Sequence, residues 1–248
     1  MDEETQSKSP GRVFLSAEWR DLVMLNYTVD PATLRAYVPP GTELDSFEGQ
    51  TLISLVGFRF LRTKLFGMLP IPFHTNFDEA NLRFYVRRSD AGTCKRGVVF
   101  IREIVPRHAI AQVARLAYAE NYICLPMKHS IARSDARFTV EYQWRLDRQW
   151  CRLHAQASGV PTHPAEGSLE QFITEHYWGY AGQRDGGCKE YRVEHVPWRV
   201  WAANDAGFDG DCSALYGAAF SRVLARKPDS AFIADGGTVR VFTGEPIT

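Results

Sequence analysis

The stretch FTVEYQWRLDRQWCRLHAQA, residues 138–157, decides the fold class. Phe138, Val140, Tyr142, Trp144 and Leu146 alternate with Thr139, Glu141, Gln143 and Arg145. That period of two puts one face of a strand in a core and the other towards polar surroundings. Asp147-Arg148-Gln149 then turns the chain into a second extended run over 150–157, so the spacing predicts a β-hairpin. Working outward, residues 22–29 place Val23, Leu25, Tyr27 and Val29 on one face and Leu22, Met24, Asn26 and Thr28 on the other. Residues 51–61, 81–88 and 98–105 also read as strands, 122–131 as an extended segment, and 231–242 as a terminal hairpin turning at Asp235-Gly236-Gly237.

Helical signals are fewer. Asp30 offers a capping side chain, Pro31 suits the first helical position, and Leu34, Tyr37 and Val38 form a stripe that Pro39-Pro40-Gly41 ends. Pro106 opens a predicted helix over 106–120. Ser168 with Gln171 forms a capping box for another helix carrying Phe172, Ile173, His176 and Tyr177, broken at 182–187. Residues 65–77, rich in Pro and Gly, read as a long loop of the kind that often carries function. Many strands, three or four helices and no regular βαβ alternation imply a β-rich α+β fold. The expected architecture is a curled, largely antiparallel sheet or barrel with flanking helices, able to enclose a small ligand. No linker or repeat interrupts the chain, which predicts one domain over 12–248 behind a disordered lead over 1–11.

Composition narrows the function classes. Lys+Arg and Asp+Glu both number 29, so no global field attracts a polyanion, and nucleic acid is not an expected partner. No apolar run approaches the length of a membrane span, and no membrane partner is expected. The five cysteines are odd in number and irregularly spaced, which fits reduced thiols and a cytoplasmic location. The neutral balance favours self-association, so a homo-oligomer is compatible with the sequence. The seven histidines show no metal-ligand spacing, and no Walker loop, nucleophile elbow or dinucleotide fingerprint occurs. Neither a metal nor a cofactor is expected.

VVFIREIV, residues 98–105, carries the strongest chemical signal, because one Arg and one Glu interrupt an otherwise apolar run. Such groups either join a buried ion pair or line a polar pocket. Strand alternation sets Arg102 with Phe100 and Ile104, and Glu103 with Ile101 and Val105, leaving open which of the two faces a pocket. Arg20 precedes an apolar strand and shares the face of Leu22, Met24 and Asn26, where a guanidinium can grip a carboxylate with two prongs, although a solvated arginine at a strand end is the commoner reading. Asp78, Glu79, Asn81 and Arg83 cluster at the start of a strand and read, by themselves, as a polar loop end. Lys128 is the lone charge in YICLPMK, where burial would lower its pKa and make it nucleophilic, against the commoner solvent-end lysine.

The segments AEWRDLVMLNYTVDPATLRAYVPPGTELD, SLVGFRFL, NFDEANLRFYVRR, GVVFIREIVPR, ENYICLPM and TEHYWGY resemble a YqjF-like family of conserved bacterial proteins within the acetoacetate decarboxylase-like superfamily. The resemblance runs from Phe14 to about Gly244. It implies a curled antiparallel barrel with flanking helices and an enclosed pocket. Arg20, ten residues before Asp30, looks like the arginine that engages the substrate carboxylate in the decarboxylase. Glu79 is similar in place to a pocket glutamate, whereas residues 51–61 hold no acid where another is expected. The decarboxylase's proline followed by two lysines appears here as Pro126, Met127 and Lys128, and methionine cannot form the imine. The resemblance therefore implies a pocket for a small organic acid, lined by Arg20, Glu79, Arg102 or Glu103, and Met127, without Schiff-base chemistry. The alternative it leaves is a decarboxylase-like lyase using Lys128, with Glu79, as catalytic groups. In the first case Lys128 is a structural charge facing an acid such as Glu103 or Glu120.

Overall fold

The computed structural model describes residues 11–70, 75–108 and 121–247. Its order is β1 (Val13–Thr28), β2 (Glu43–Leu44), β3 (Leu52–Leu65), β4 (Leu69–Pro70), β5 (Phe77–Asp90), β6 (Thr93–Val105), β7 (Tyr122–Cys124), β8 (Met127–Arg133), β9 (Phe138–Leu146) and β10 (Gln149–Ala157). Then follow α1 (Leu169–Thr174), β11 (Trp178–Gly182), β12 (Cys188–His195), β13 (Val200–Asp209), α2 (Ser213–Leu224), β14 (Ser230–Phe242) and β15 (Glu245–Ile247).

Seven strands, in the order β12-β11-β6-β5-β3-β1-β14, close into a barrel because β14 also pairs with β12. All neighbours around it run antiparallel except β11 and β6. From β14 the sheet continues outward through β13, β10, β9 and β8. This outer layer lies over the barrel wall, so two cores form. One fills the barrel with residues such as Leu22, Met24, Val56, Phe58, Phe60 and Phe232. The other, holding Val23, Leu25, Leu55, Leu82, Phe84, Tyr142, Trp144 and Leu153, lies between wall and outer sheet.

The two cores explain why β1, β3 and β5 are buried on both faces over long stretches. Their alternation separates two interiors rather than interior from water. Close approach of the layers leaves no room for a side chain at Gly57, where a Cβ would stand 2.7 Å from both Leu153 and Tyr142. The hairpin over 138–157 forms as expected, with Leu146 opposite Gln149 and Asp147 in the left-handed conformation of a tight turn.

Other local expectations are corrected. Asp30 does accept from the Ala32 amide at 2.8 Å, but the segment it opens is a pair of 3-10 turns, Pro31–Thr33 and Arg35–Tyr37, rather than an α-helix. Anchoring of Leu34 in the outer core, together with Pro39 and Pro40 so close behind, leaves too little chain for an α-helical ladder. The Ser168 cap forms, with Gln171 N donating to Ser168 Oγ at 3.2 Å. Its helix ends at Thr174, so His176 and Tyr177 follow it, and 178–182 is strand β11. The expected hairpin over 231–242 is one continuous strand. Gly236 there permits a bend at which β14 leaves β13 and joins β12. Part of the loop over 65–77 pairs with β3 as β4. The expected helix over 106–120 falls largely on residues 109–120, and the lead over 1–11 largely on 1–10; both stretches lie outside the described residues. Helix α2, kinked at Gly217, was not anticipated although Leu215, Tyr216, Phe220 and Leu224 form its buried face.

All five cysteines are free. Among the described residues no helix is long and apolar enough to cross a membrane.

Candidate functional site

The barrel encloses a cavity of about 120 Å³. Its wall is mostly aromatic and aliphatic, with Trp19, Phe58, Phe60, Phe77, Phe100 and Trp198 among the lining residues. Against this apolar lining stands a polar patch built chiefly by β5. Odd positions of that strand, Phe77, Glu79, Asn81, Arg83 and Tyr85, face the barrel interior, whereas Ala80, Leu82, Phe84 and Val86 enter the outer core. The cluster read as a polar loop end is therefore a strand buried on both faces, in which Glu79, Asn81 and Arg83 line the cavity while Asp78 turns to His129 of β8 at 2.8 Å. The missed signal lies in FDEANLRFYV itself, where apolar even positions from Ala80 onward accompany polar odd ones up to Arg83.

Glu79 is 2% exposed. Asn81 Nδ2 donates to its Oε1 at 3.0 Å and Tyr122 OH to its Oε2 at 3.2 Å. Burial pushes the Glu79 carboxyl up to about 7, against the opposing pull of those two hydrogen bonds and of the Arg83 charge. A carboxyl so placed exchanges a proton near neutral pH, the property required of a general acid or base. Arg83 is 8% exposed, and its Nη2 donates to the Ile173 carbonyl in the last turn of α1 at 3.2 Å. Its Nε has no hydrogen-bond partner among the described residues. Beside Tyr85 of β5, with ring centres 4.7 Å apart, burial lowers His176 to about 4, with Asp45 pulling the other way from 3.5 Å. Asp45 is pushed up by burial but held down at about 2 by His176 and by Arg96, whose Nε donates to it at 2.7 Å. His195 is likewise lowered by burial and stacks on Trp198 with ring centres 4.0 Å apart. Both imidazoles are thus neutral at pH 7.

Two β-bulges decide which expected residues reach this cavity. In β6, Leu82 faces Arg102 while the next residue, Arg83, faces Phe100, so Ile101 is an extra residue. An extra residue inverts the alternation beyond it. Val98 and Phe100 before the bulge share the cavity side with Glu103 and Val105 after it. The expected pairing of Arg102 with Phe100 is therefore wrong, as is that of Glu103 with Ile101. Glu103, opposite Asn81, is the residue that faces the cavity. Arg102 faces the outer layer, close enough to Tyr216 of α2 for its charge to be felt there.

A second bulge lies in β1, where Arg20 faces Arg59 but Val23 faces Gly57, with Asp21 at φ 55° between them. Trp19 before it and Leu22 after it both line the cavity. Arg20 consequently points the other way and does not share the face of Leu22 and Met24. It lies in a separate depression on the outer rim with Arg59, Arg133 and Arg199, and its Nε and Nη2 donate to Glu18 at 3.1 and 3.0 Å. Arg59 beside it pairs with Asp21.

Met127 and Lys128 begin β8 in the outer sheet, opposite Trp144 and Gln143 of β9. Met127 packs against the outer core rather than the barrel interior. Lys128 is exposed, its ammonium 4.3 Å from the centre of the Trp150 ring, a cation-π contact rather than a pairing with Glu103; Glu120, the other acid expected to face it, lies outside the described residues. Of the site residues singled out from sequence, the structure brings Glu79 and Glu103 together and leaves Arg20, Arg102, Met127 and Lys128 elsewhere. Tyr122, His176 and His195 were not anticipated, since each reaches the cavity from an element remote in sequence. No lysine is among the described lining residues. Among the described residues no group of three His, Cys, Asp or Glu side chains is arranged to hold a metal ion.

Solved structures with the same architecture share little sequence. Acetoacetate decarboxylase from Legionella pneumophila matches with a TM-score of 0.65 at 13% identity, over 99% of this chain and 93% of that one. An acetoacetate decarboxylase-like enzyme from Sphingomonas wittichii matches at 0.65 and 13%, over 100% and 98%. The enduracididine biosynthesis enzyme MppR complexed with pyruvate also matches at 0.65 and 13%, over 99% and 93%. At such identity the likeness establishes the acetoacetate decarboxylase-like fold and leaves the chemistry to the site itself. In sequence the chain is 28% identical over 205 residues to the uncharacterised protein YqjF of Bacillus subtilis, covering 80% of this chain and 81% of that protein. The family model of the uncharacterised conserved proteins DUF2071 matches residues 16–238, and the chain belongs to that family.

Proposed function

We propose that the barrel interior binds a small organic acid, its carboxylate against Arg83 and its apolar body against Trp19, Phe58, Phe60 and Trp198, without formation of a lysine imine. The observation that carries this reading is a buried guanidinium whose Nε is left without a partner among the described residues, at the polar end of an otherwise apolar cavity. Buried cations are costly unless paired, and an incoming carboxylate supplies both the charge and the acceptor. Arg83 takes the anchoring role that the resemblance suggested for Arg20. Glu79, with the Tyr122 hydroxyl donating to it, stands beside Arg83 and is available to a bound molecule.

Benzoate is a suitable probe, since it combines a carboxylate with one ring, and quenching of Trp19 and Trp198 fluorescence reports its entry. Arg83→Gln is expected to weaken benzoate binding about 100-fold, the usual cost of removing one partner of a desolvated charge pair. Arg20→Ala should leave the affinity unchanged. The opposite pattern would return the anchor to the rim.

That no lysine lies among the described lining residues supports a non-imine site. Borohydride reduction in the presence of acetoacetate is accordingly expected to leave no mass adduct on the protein. An adduct mapped to Lys128, with turnover lost in Lys128→Ala, would establish the imine-forming lyase instead.

A further inference from the structure

We infer that carboxylate binding in the barrel is coupled to protonation of Glu79: the anion enters with one proton, and the site releases it when that proton leaves. This rests on the carboxylate site proposed above and adds its regulation. Glu79 and Arg83 project from the same face of β5, separated only by Asn81, so a ligand carboxylate held by Arg83 and the Glu79 carboxyl occupy one small desolvated space. Two negative charges there repel strongly, because little water screens them. When Glu79 carries its proton the repulsion disappears and the acid can donate to the ligand. Arg83 is the only Arg or Lys among the described lining residues, so both carboxylates would draw on one cation.

The groups that face Glu79 come from every element packed around it. On β5 itself these are Asn81 and Arg83; on β6, Glu103; on β7, Tyr122, whose hydroxyl donates to Glu79; and, following α1 and at the end of β12, His176 and His195. The two imidazoles are kept neutral by burial. The Glu79 carboxyl, held near 7 by burial, stands at the midpoint between its two states under ordinary conditions. A bound anion raises that midpoint further, which by linkage means proton uptake on binding.

Benzoate affinity should fall at least about tenfold between pH 6 and pH 8.5. Calorimetry in two buffers of different ionisation enthalpy should show up to one proton taken up at pH 7.5. Glu79→Gln should bind benzoate with an affinity independent of pH and with no proton uptake, whereas Glu103→Gln should keep the slope. A pH-independent wild type, or a slope that survives in Glu79→Gln and vanishes in Glu103→Gln, would overturn the coupling. A measurement without ligand separates this inference from the binding proposal. The carbon-13 titration of the Glu79 carboxyl should move to higher pH in Arg83→Gln and remain near its wild-type position in Arg83→Lys, which keeps the charge. An unmoved midpoint in Arg83→Gln overturns the coupling even if benzoate binds. A moved midpoint with no benzoate binding at any pH removes the ligand class and leaves the Glu79–Arg83 coupling standing.

Discussion

Glu79→Gln is expected to make the folded protein roughly 3 kcal/mol more stable than wild type at pH 8 while leaving the two nearly equal at pH 4. The sign follows from the direction of the shift. The folded-state value, about 7, lies above the ordinary value of 4.5. Between those limits the folded chain holds a proton that the unfolded chain has released. The stabilisation from this group is therefore complete below about 4.5 and is lost as pH rises towards 7. Glutamine imitates the protonated acid: its carbonyl accepts from Asn81 as the carboxyl oxygen does, and it never acquires the buried charge. His176 acts in the opposite sense, since its value falls from 6.5 to about 4 and its contribution grows as pH rises through that range. The difference between the two proteins, read from urea midpoints at pH 4, 6 and 8, isolates Glu79 from this background. A gap that stays constant with pH would show that Glu79 titrates alike in the folded and unfolded chains, its value not raised by burial.

The second large effect is expected at Gly236. Gly236→Ala should cost about 3 kcal/mol or more, because two penalties fall on one residue. The backbone there has φ 76°, a conformation that side chains other than glycine's rarely adopt. A Cβ would also collide with the carbonyl oxygen of Trp19 on β1, which is backbone and cannot swing aside. Gly92 provides the comparison. It has φ 82° but nothing within 4 Å of a Cβ, so Gly92→Ala should cost only about 1 kcal/mol. Equal losses at the two positions would mean that the β1–β14 contact at Trp19 yields easily. A much larger loss at Gly236 would confirm a tight joint where β14 changes partner and where the neighbouring bulge at Asp21 turns Arg20 away from the cavity.

What was legible in the amino-acid sequence was whatever depends on neighbours. The hairpin over 138–157, the extended character of 22–29, 51–61 and 98–105, the Asp30 and Ser168 caps and the β-rich class all follow from period-two patterning and local side-chain chemistry. The sequence also marks Glu79 and the Arg102–Glu103 pair as ionisable groups inside or beside apolar strands, and the structure places Glu79 and Glu103 on the cavity and Arg102 in the outer layer. What the tertiary structure decided was direction. Alternation assigns faces only while the ladder runs unbroken, and each bulge adds one residue and exchanges the faces beyond it. One at Ile101 brought Glu103 into the barrel and sent Arg102 out; one at Asp21 sent Arg20 to the rim while Trp19 and Leu22 both stayed inside. Bulges are set by pairing with distant strands, here β5 and β3, so no local pattern announces them. The same holds for the double burial of β5. Polar positions in FDEANLRFYV look like a loop end until a second layer, β8 to β10 with β13, covers the opposite face. That closure, made by β14 pairing with both β13 and β12 around Gly236, converts an ordinary polar strand into the wall of a cavity.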